Sequence, residues 1–440
     1  MRSTLLCLLL LPLSALAADG FLFENVRLID VDGNHASEPV SLAVREGFIV
    51  HSEQLGEAPV RIEAEGFLMP GLAEMHAHIP PTRDPERLAD VLTLFLAHGV
   101  TTVRGMLGEA GHLPLRAELA NGERHGPRLL TAGPSFNGNT VSSPEQAAGM
   151  VRAQSEAGYD LLKLHPGLWP DAFAAIVETA AGLGIDYSGH VSMAVGLDRV
   201  LASQQGTIDH LDAYVQAMVP ERHPLYGRDP GFFGMNLVDG IDDSRIEALA
   251  LRTAEAGIAN VPTQTLLENI FIGDLDALLG RPAMRFVNAR TRDNWLDAIE
   301  QLREGHGPEQ RQRFIDVRRA LILALHRAGA TILLGADAPQ ILNVPGDAVH
   351  HELELYVAAG LSPAEALATG TTRVADYLGQ SAHGCLQPGC VADLVLLTAN
   401  PLADIHHSRS IQGVMRAGRW YDRAALDEML EDVARRAADD

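Results

Sequence analysis

Several side chains suited to metal binding or acid–base work stand at the ends of short apolar segments. The first two lie in Met69-Pro70-Gly71-Leu72-Ala73-Glu74-Met75-His76-Ala77-His78, where an apolar run closes on two histidines one residue apart. In an extended strand, residues i and i+2 project to one face, so His76 and His78 can hold one metal together. A pair of this kind alone is as often a solvated face, but the pattern repeats. Tyr159-Asp160-Leu161-Leu162-Lys163-Leu164-His165 carries a lysine amid leucines, and two further segments close on His190 and His210. A last one, Ala330-Thr331-Ile332-Leu333-Leu334-Gly335-Ala336-Asp337, closes on an aspartate. Zinc takes histidine nitrogen and carboxylate oxygen, and a catalytic site keeps one position open for water. Lys163 is the odd member, because an ammonium repels a metal ion.

The segments are separated by stretches of helical period, an alternation that builds a parallel sheet. Helical patterns over residues 91–98, 144–157, 171–183, 195–204 and 314–327 alternate with strand-like segments at 100–104, 128–133 and 258–263. Residues 361–378 read as one helical segment, with Ser362 as N-cap and Pro363 at the first helical position. In a closed (β/α)8 barrel, catalytic side chains come from the C-terminal ends of several strands. The site is therefore expected to be assembled from distant parts of the chain.

The order His-x-His, Lys, His, His, Asp resembles that of the amidohydrolase superfamily, over about residues 21–421. Lys163 and the surroundings of Asp337 and His350 are similar to its imidazolonepropionase-like and prolidase-like branch, which holds several dipeptidases. The resemblance implies an α/β fold: a distorted (β/α)8 TIM barrel, with a small β-sandwich made by both chain ends. It implies two divalent metal ions, with zinc expected. His76, His78 and Asp337 would hold one ion and His190 and His210 the other, bridged by a carbamylated Lys163. The alternative for Lys163 is a buried lysine paired to a carboxylate. A hydroxide between two metals is a strong nucleophile at neutral pH. Asp337 would be the catalytic base that takes the proton of the attacking water and passes it to the leaving nitrogen.

Substrate contacts are expected from Asp212 and Tyr214 after His210, where related dipeptidases place them, and from His165. Arg222 and Arg228, in the Pro- and Gly-rich residues 220–235, could grip a free carboxylate through paired hydrogen bonds. This stretch and residues 273–307 follow strand ends and are expected to overhang the site. Arg104 suits a barrel-closing ion pair and His350 helix packing. His112, His125, His306 and His326 read as surface residues.

Residues 1–17 have the form of a signal peptide: Arg2, an apolar run from Leu5 to Leu11, and Ala15-Leu16-Ala17 as cleavage site. A periplasmic or secreted product is expected. The β-sandwich is assigned to residues 18–68 and 384–425, the barrel to 69–383, and a C-terminal helix or tail to 426–440. Cys385 and Cys390 flank a Pro388-Gly389 turn and could pair in an oxidising compartment. A formal net charge of -23 argues against nucleic acid and anionic membrane surfaces as partners. The expected partner is a small-molecule substrate, and a homo-oligomer is compatible with the chain.

The resulting functional expectation is a binuclear metal hydrolase of dipeptides or N-acyl amino acids. A hydrolase of cyclic amides, lactones or phosphotriesters could use the same site. A silent binding protein on this scaffold would be expected to have lost ligands, and all six are present.

Overall fold

The structure is a computed structural model that describes residues 20–439, so the signal-peptide assignment lies outside the described residues. Seven parallel strands form two arcs of a barrel. Leu72–Ala77, Val100–Gly105 and Arg128–Thr131 make one; Leu161–Leu164, Asp186–Gly189, Thr207–Asp209 and Ala259–Val261 make the other. Single bridges between Ala132 and Leu161 and between Phe136 and Leu164 join them. The register that sets Ser188 beside Lys163, Gly189 beside Ile208 and Asp209 beside Val261 brings the ends of these strands to one rim.

The eighth position departs from the expected strand. Residues 331–338 bridge the neighbouring strands only at Ile332 and Ala338. The reason is Glu74, fully buried between the first and eighth positions. Its carboxylate accepts the His76 amide at 2.9 Å and the Ala336 amide at 2.9 and 3.0 Å, in place of ladder carbonyls. Burial pushes its pKa well up, against the pull of those two amides. The expected helix over 361–378 is likewise two helices, Pro363–Thr369 and Thr372–Tyr377. Ser362 caps the first in a capping box with Glu365, as its sequence suggests. The break frees the Thr369 and Gly370 carbonyls for the amides of Leu334 and Ala73, tying the helix pair to the barrel.

The chain ends combine as expected. Phe21–Asp30 pairs in parallel with Val60–Pro70, and Leu394–Leu397 adds antiparallel to the other side of that long strand. Phe48–Val50, at the far edge, exchanges hydrogen bonds with residues 389–392. The layer thus closes around a core of Phe23, Val26, Leu68, Leu394 and Met415. Arg423–Asp439 is a helix whose Leu426, Leu430 and Val433 are buried; Arg436 pairs with Asp90 on the barrel helix Pro85–Ala97. No helix among the described residues is long and apolar enough to cross a membrane.

Cys385 and Cys390 are joined in a disulfide with Cα atoms 5.9 Å apart. They do not face each other across paired strands. The bond closes a turn in which the Cys390 amide donates to the Gln387 carbonyl, and Cys390 is buried against the small sheet. A loop this short is expected to contribute about 2 kcal/mol. Peptide mapping of oxidised protein should show neither cysteine alkylated before reduction, and the Cys385→Ser/Cys390→Ser variant should unfold at lower denaturant.

Candidate active site

Lys163 sits inside the barrel with no exposed surface, between strands that each deliver a polar group to the rim. Its Nζ lies 3.4 Å from His76 Nε2 and 3.7 Å from Asp209 Oδ2. Burial pulls its pKa down to about 8, with Asp209 and Asp337 opposing. The chain contains no other lysine: every other basic side chain among its 34 is arginine. Gly189 lets the next strand pass this close. A Cβ there would stand 2.4 Å from the Leu164 carbonyl oxygen and 3.0 Å from Lys163 Cδ.

Five of the other predicted site residues converge on this lysine. Asp337 Oδ1 is 2.9 Å from His78 Nε2 and 3.8 Å from His76 Nε2, while Oδ2 is 3.8 Å from His210 Nδ1. One ligand atom each from His76, His78 and Asp337 fits within 4.8 Å. Asp337 Oδ1 is buried, and its close contact with His78 Nε2 lacks hydrogen-bond geometry, an uncommon state for a carboxylate oxygen unless another group completes it. The imidazoles of His76 and His210 have centroids 4.4 Å apart, and those of His210 and His190 4.6 Å. Histidine nitrogens and a carboxylate at this spacing fit a divalent metal such as zinc. Asp337 and His210 both hold positive φ, 62° each, backbone strain of the kind that clusters at functional sites.

The imidazoles are oriented by side chains of which the sequence reading singled out only Asp212, and that one as a substrate contact. Asp209, fully buried, accepts from His76 Nδ1 at 2.8 Å and from Thr207 Oγ1 at 2.6 Å. Asp212 Oδ2 is 3.1 Å from His190 Nδ1 and also accepts the Val191 amide. Thr263 Oγ1 meets His210 Nδ1 at 2.8 Å. Binding the back nitrogen fixes ring and tautomer and turns the front nitrogen to the site. The six residues from Thr207 to Asp212 therefore hold two of the histidines, His76 and His190, and supply a third, His210. Alternation of Thr207 and Asp209 ahead of His210 was the available signal, since both must share one face of the strand.

Two buried arginines support this layer. Arg104 does form the expected ion pair, 3.4 Å from Asp209, and also donates to Thr207 Oγ1 and the Met75 carbonyl. Arg318 donates to the carbonyls of His210 and Pro262, at 2.8 Å each, and so clamps two strand ends. The Arg318 role is not visible in local sequence.

The substrate-contact expectations fare differently. His165 lies at the rim, its ring stacked on His190 at 5.0 Å; burial first, and then the Lys163 charge, keep it neutral. Tyr214 does not reach the site: it has no exposed surface, and its hydroxyl lies between Thr253 and Asn260 at 2.9 and 3.1 Å. Asp212 orients His190 and is not free for substrate. Arg222 and Arg228 line a cavity that none of the six ligand candidates borders. His350 is buried between Ser408 and the His98 carbonyl, in line with a packing role. His112, expected at the surface, is buried with its Nε2 on the Pro80 carbonyl.

Of the two expected overhangs, residues 220–235 supply an aromatic wall. Phe233 stacks on His190 at 6.0 Å and lies 4.9 Å from His210. The turn needs Gly234 next to it, with φ +97° and room for only a hydrogen against Val215 Cβ. Residues 273–307 instead pack at the side, with Arg303 donating to the Ile270 and Gly273 carbonyls.

This site on this barrel defines a metal-dependent hydrolase of the amidohydrolase superfamily. The chain belongs to the amidohydrolase family, whose model matches residues 67–421, and is a hydrolase acting on carbon–nitrogen bonds. No curated protein matches it. Among solved structures it is similar to a bottromycin amidohydrolase, with 23% identity and a TM-score of 0.73 over 95% of this chain and 91% of that one. A putative prolidase from Bifidobacterium longum has 23% identity and a TM-score of 0.68, over 94% and 98%. An Xaa-Pro dipeptidase with methionine bound in its active site has 18% identity and a TM-score of 0.66, over 92% and 100%.

Asp209→Asn should leave the barrel folded while His76 loses its fixed tautomer. Zinc affinity, measured by competition with a chromophoric chelator, is expected to fall by about 10–100-fold. Unchanged affinity would deny Asp209 this orienting role.

Proposed function

We propose that the protein is a binuclear metal-dependent hydrolase that cuts the amide bond of dipeptides or N-acyl amino acids. The observation that carries this reading is the convergence of four histidines and Asp337 on the chain's single lysine, buried at the strand ends. Arginine could supply positive charge at that position. Only lysine has an amine that can lose its proton and add to carbon dioxide, forming a nitrogen–carbon bond and an anionic carbamate. His76, His78 and Asp337 would hold one divalent ion, His190 and His210 a second, and the Lys163 carbamate would join them. Bound there, such ions lower the pKa of water and polarise a carbonyl oxygen.

The chain's own groups perform the rest. Asp337, whose Oδ1 is free of hydrogen bonds, accepts the proton of the attacking water and delivers it to the departing nitrogen. Asp209, Asp212 and Thr263 keep the imidazoles aimed while charge shifts. Phe233 walls off the His190 and His210 side from solvent and presents an apolar surface to a substrate side chain. The resemblance to a prolidase and a dipeptidase structure supports a peptide-like substrate. The Cys385–Cys390 disulfide supports export to an oxidising compartment.

Protein expressed with zinc should carry about two ions per chain and lose activity on chelation. Under ¹³C-labelled carbon dioxide, one side-chain carbamate resonance should appear, absent from Lys163→Arg, because no other lysine can contribute. Activity should be found in a panel of dipeptides and N-acyl amino acids. A fully active, metal-free protein, or a metal pair bound without the carbamate signal, would overturn the mechanism.

A further inference from the structure

Apart from the candidate active site, a cavity of about 920 Å³ opens among the helices Leu197–Leu201, Tyr214–Met218 and Ile246–Ala256 and the loop over residues 220–228. Five arginines line it: Arg199, Arg222, Arg228, Arg245 and Arg252. Only Arg252 has an ion-pair partner among the described residues, Asp198 at 2.5 Å. Arg199 and Arg245 each donate one hydrogen bond to a backbone carbonyl, of Val195 and Ala217, which leaves most of each guanidinium unused. The Asp242 carboxylate, also on the wall, accepts the amide and hydroxyl of Ser244 on Oδ1 and feels the charges of Arg245 and Arg222 without a close ion pair to either.

This chain has 57 acidic residues for 34 basic ones, so carboxylate partners are plentiful. Five arginines against the three carboxylates of the same wall, Asp198, Glu221 and Asp242, leave an excess of positive charge, and an anion bound between the arginines offsets their mutual repulsion. The guanidinium fork matches the paired oxygens of carboxylate and phosphoryl groups. Met193 and Tyr226, 63% and 51% exposed, add apolar surface to the same wall. We propose that this cavity is a second binding site, separate from the metal-ligand cluster, for a small organic polyanion bearing two or more carboxylate or phosphoryl groups. The proposal does not depend on the hydrolase reading.

Titration calorimetry at low salt with tricarballylate and with fructose 1,6-bisphosphate tests it, and the tighter of the two identifies carboxylate or phosphoryl as the preferred group. At least one probe should saturate a single site, and added salt should weaken it. The Arg222→Ala/Arg228→Ala variant should weaken binding by about tenfold or more, with Arg199→Ala as an independent second variant. Arg152→Ala, on the exposed face of the helix Pro144–Ala157, should leave binding unchanged. His76→Ala, which removes a metal ligand, should also leave it unchanged. The proposal fails if neither probe saturates, if Arg152→Ala weakens binding as much as the cavity variants do, or if binding disappears in His76→Ala.

Discussion

The buried Asp209 carboxylate is the interaction on which the rest of the site depends. It holds His76 Nδ1 and Thr207 Oγ1, lies 3.4 Å from Arg104 and 3.7 Å from Lys163, and has no exposed surface. An isolated charge in such a place is costly, and breaking one partner of a buried pair typically costs about 3–5 kcal/mol. Here the anion is matched by cations and hydrogen-bond donors from four strands. Removing any one of them leaves the others uncompensated. The network therefore serves stability and ring orientation through the same atoms.

Around that centre, backbone groups are satisfied by side chains wherever the regular ladder gives way. Glu74 replaces strand carbonyls beside the irregular eighth segment. Glu352 accepts the amides of Gln264 and Thr265 at the start of the helix after the seventh strand. Arg318 takes the carbonyls of His210 and Pro262. These are the places where His210, Thr263 and Asp337 adopt positive φ. A buried unpaired amide or carbonyl would cost enough to collapse those conformations. The polar substitutes let strand ends turn their side chains inward instead of continuing as sheet.

The placement of basic side chains adds a second theme. Lysine is confined to one buried position, while arginine supplies all other positive charge. Arginine stays protonated in almost any setting, and a deprotonated lysine amine is a nucleophile. The buried arginines near the site act as fixed cations and multiple donors, a task that lysine with its flexible stem performs less well. On the surface, one group of five arginines outnumbers the carboxylates beside it and stands apart from the predominantly acidic composition.

The alternation of short apolar runs with helical period was enough to indicate a parallel sheet, because strand and helix periods differ and each run ends in a polar residue; its closure into a barrel was implied by the family resemblance. The same local rule exposed His76, His78, Lys163, His190, His210 and Asp337. The family resemblance likewise implied that the two β-rich ends pair, and neither could stand as a sheet alone. What the local pattern did not contain was the partner of each residue. Tyr214 follows His210 closely, yet the turn through Ala213, with φ +68°, sends it into the core. Asp209 and His76 are 133 residues apart and 2.8 Å from each other. Phe233 reaches His190 only because a glycine-flanked loop folds back over the rim. Period and residue type are properties of neighbours along the chain, and the sequence determined those. Which histidine nitrogen is held, which arginine finds a carboxylate and which aromatic covers the site depend on barrel closure, which only the tertiary structure decides.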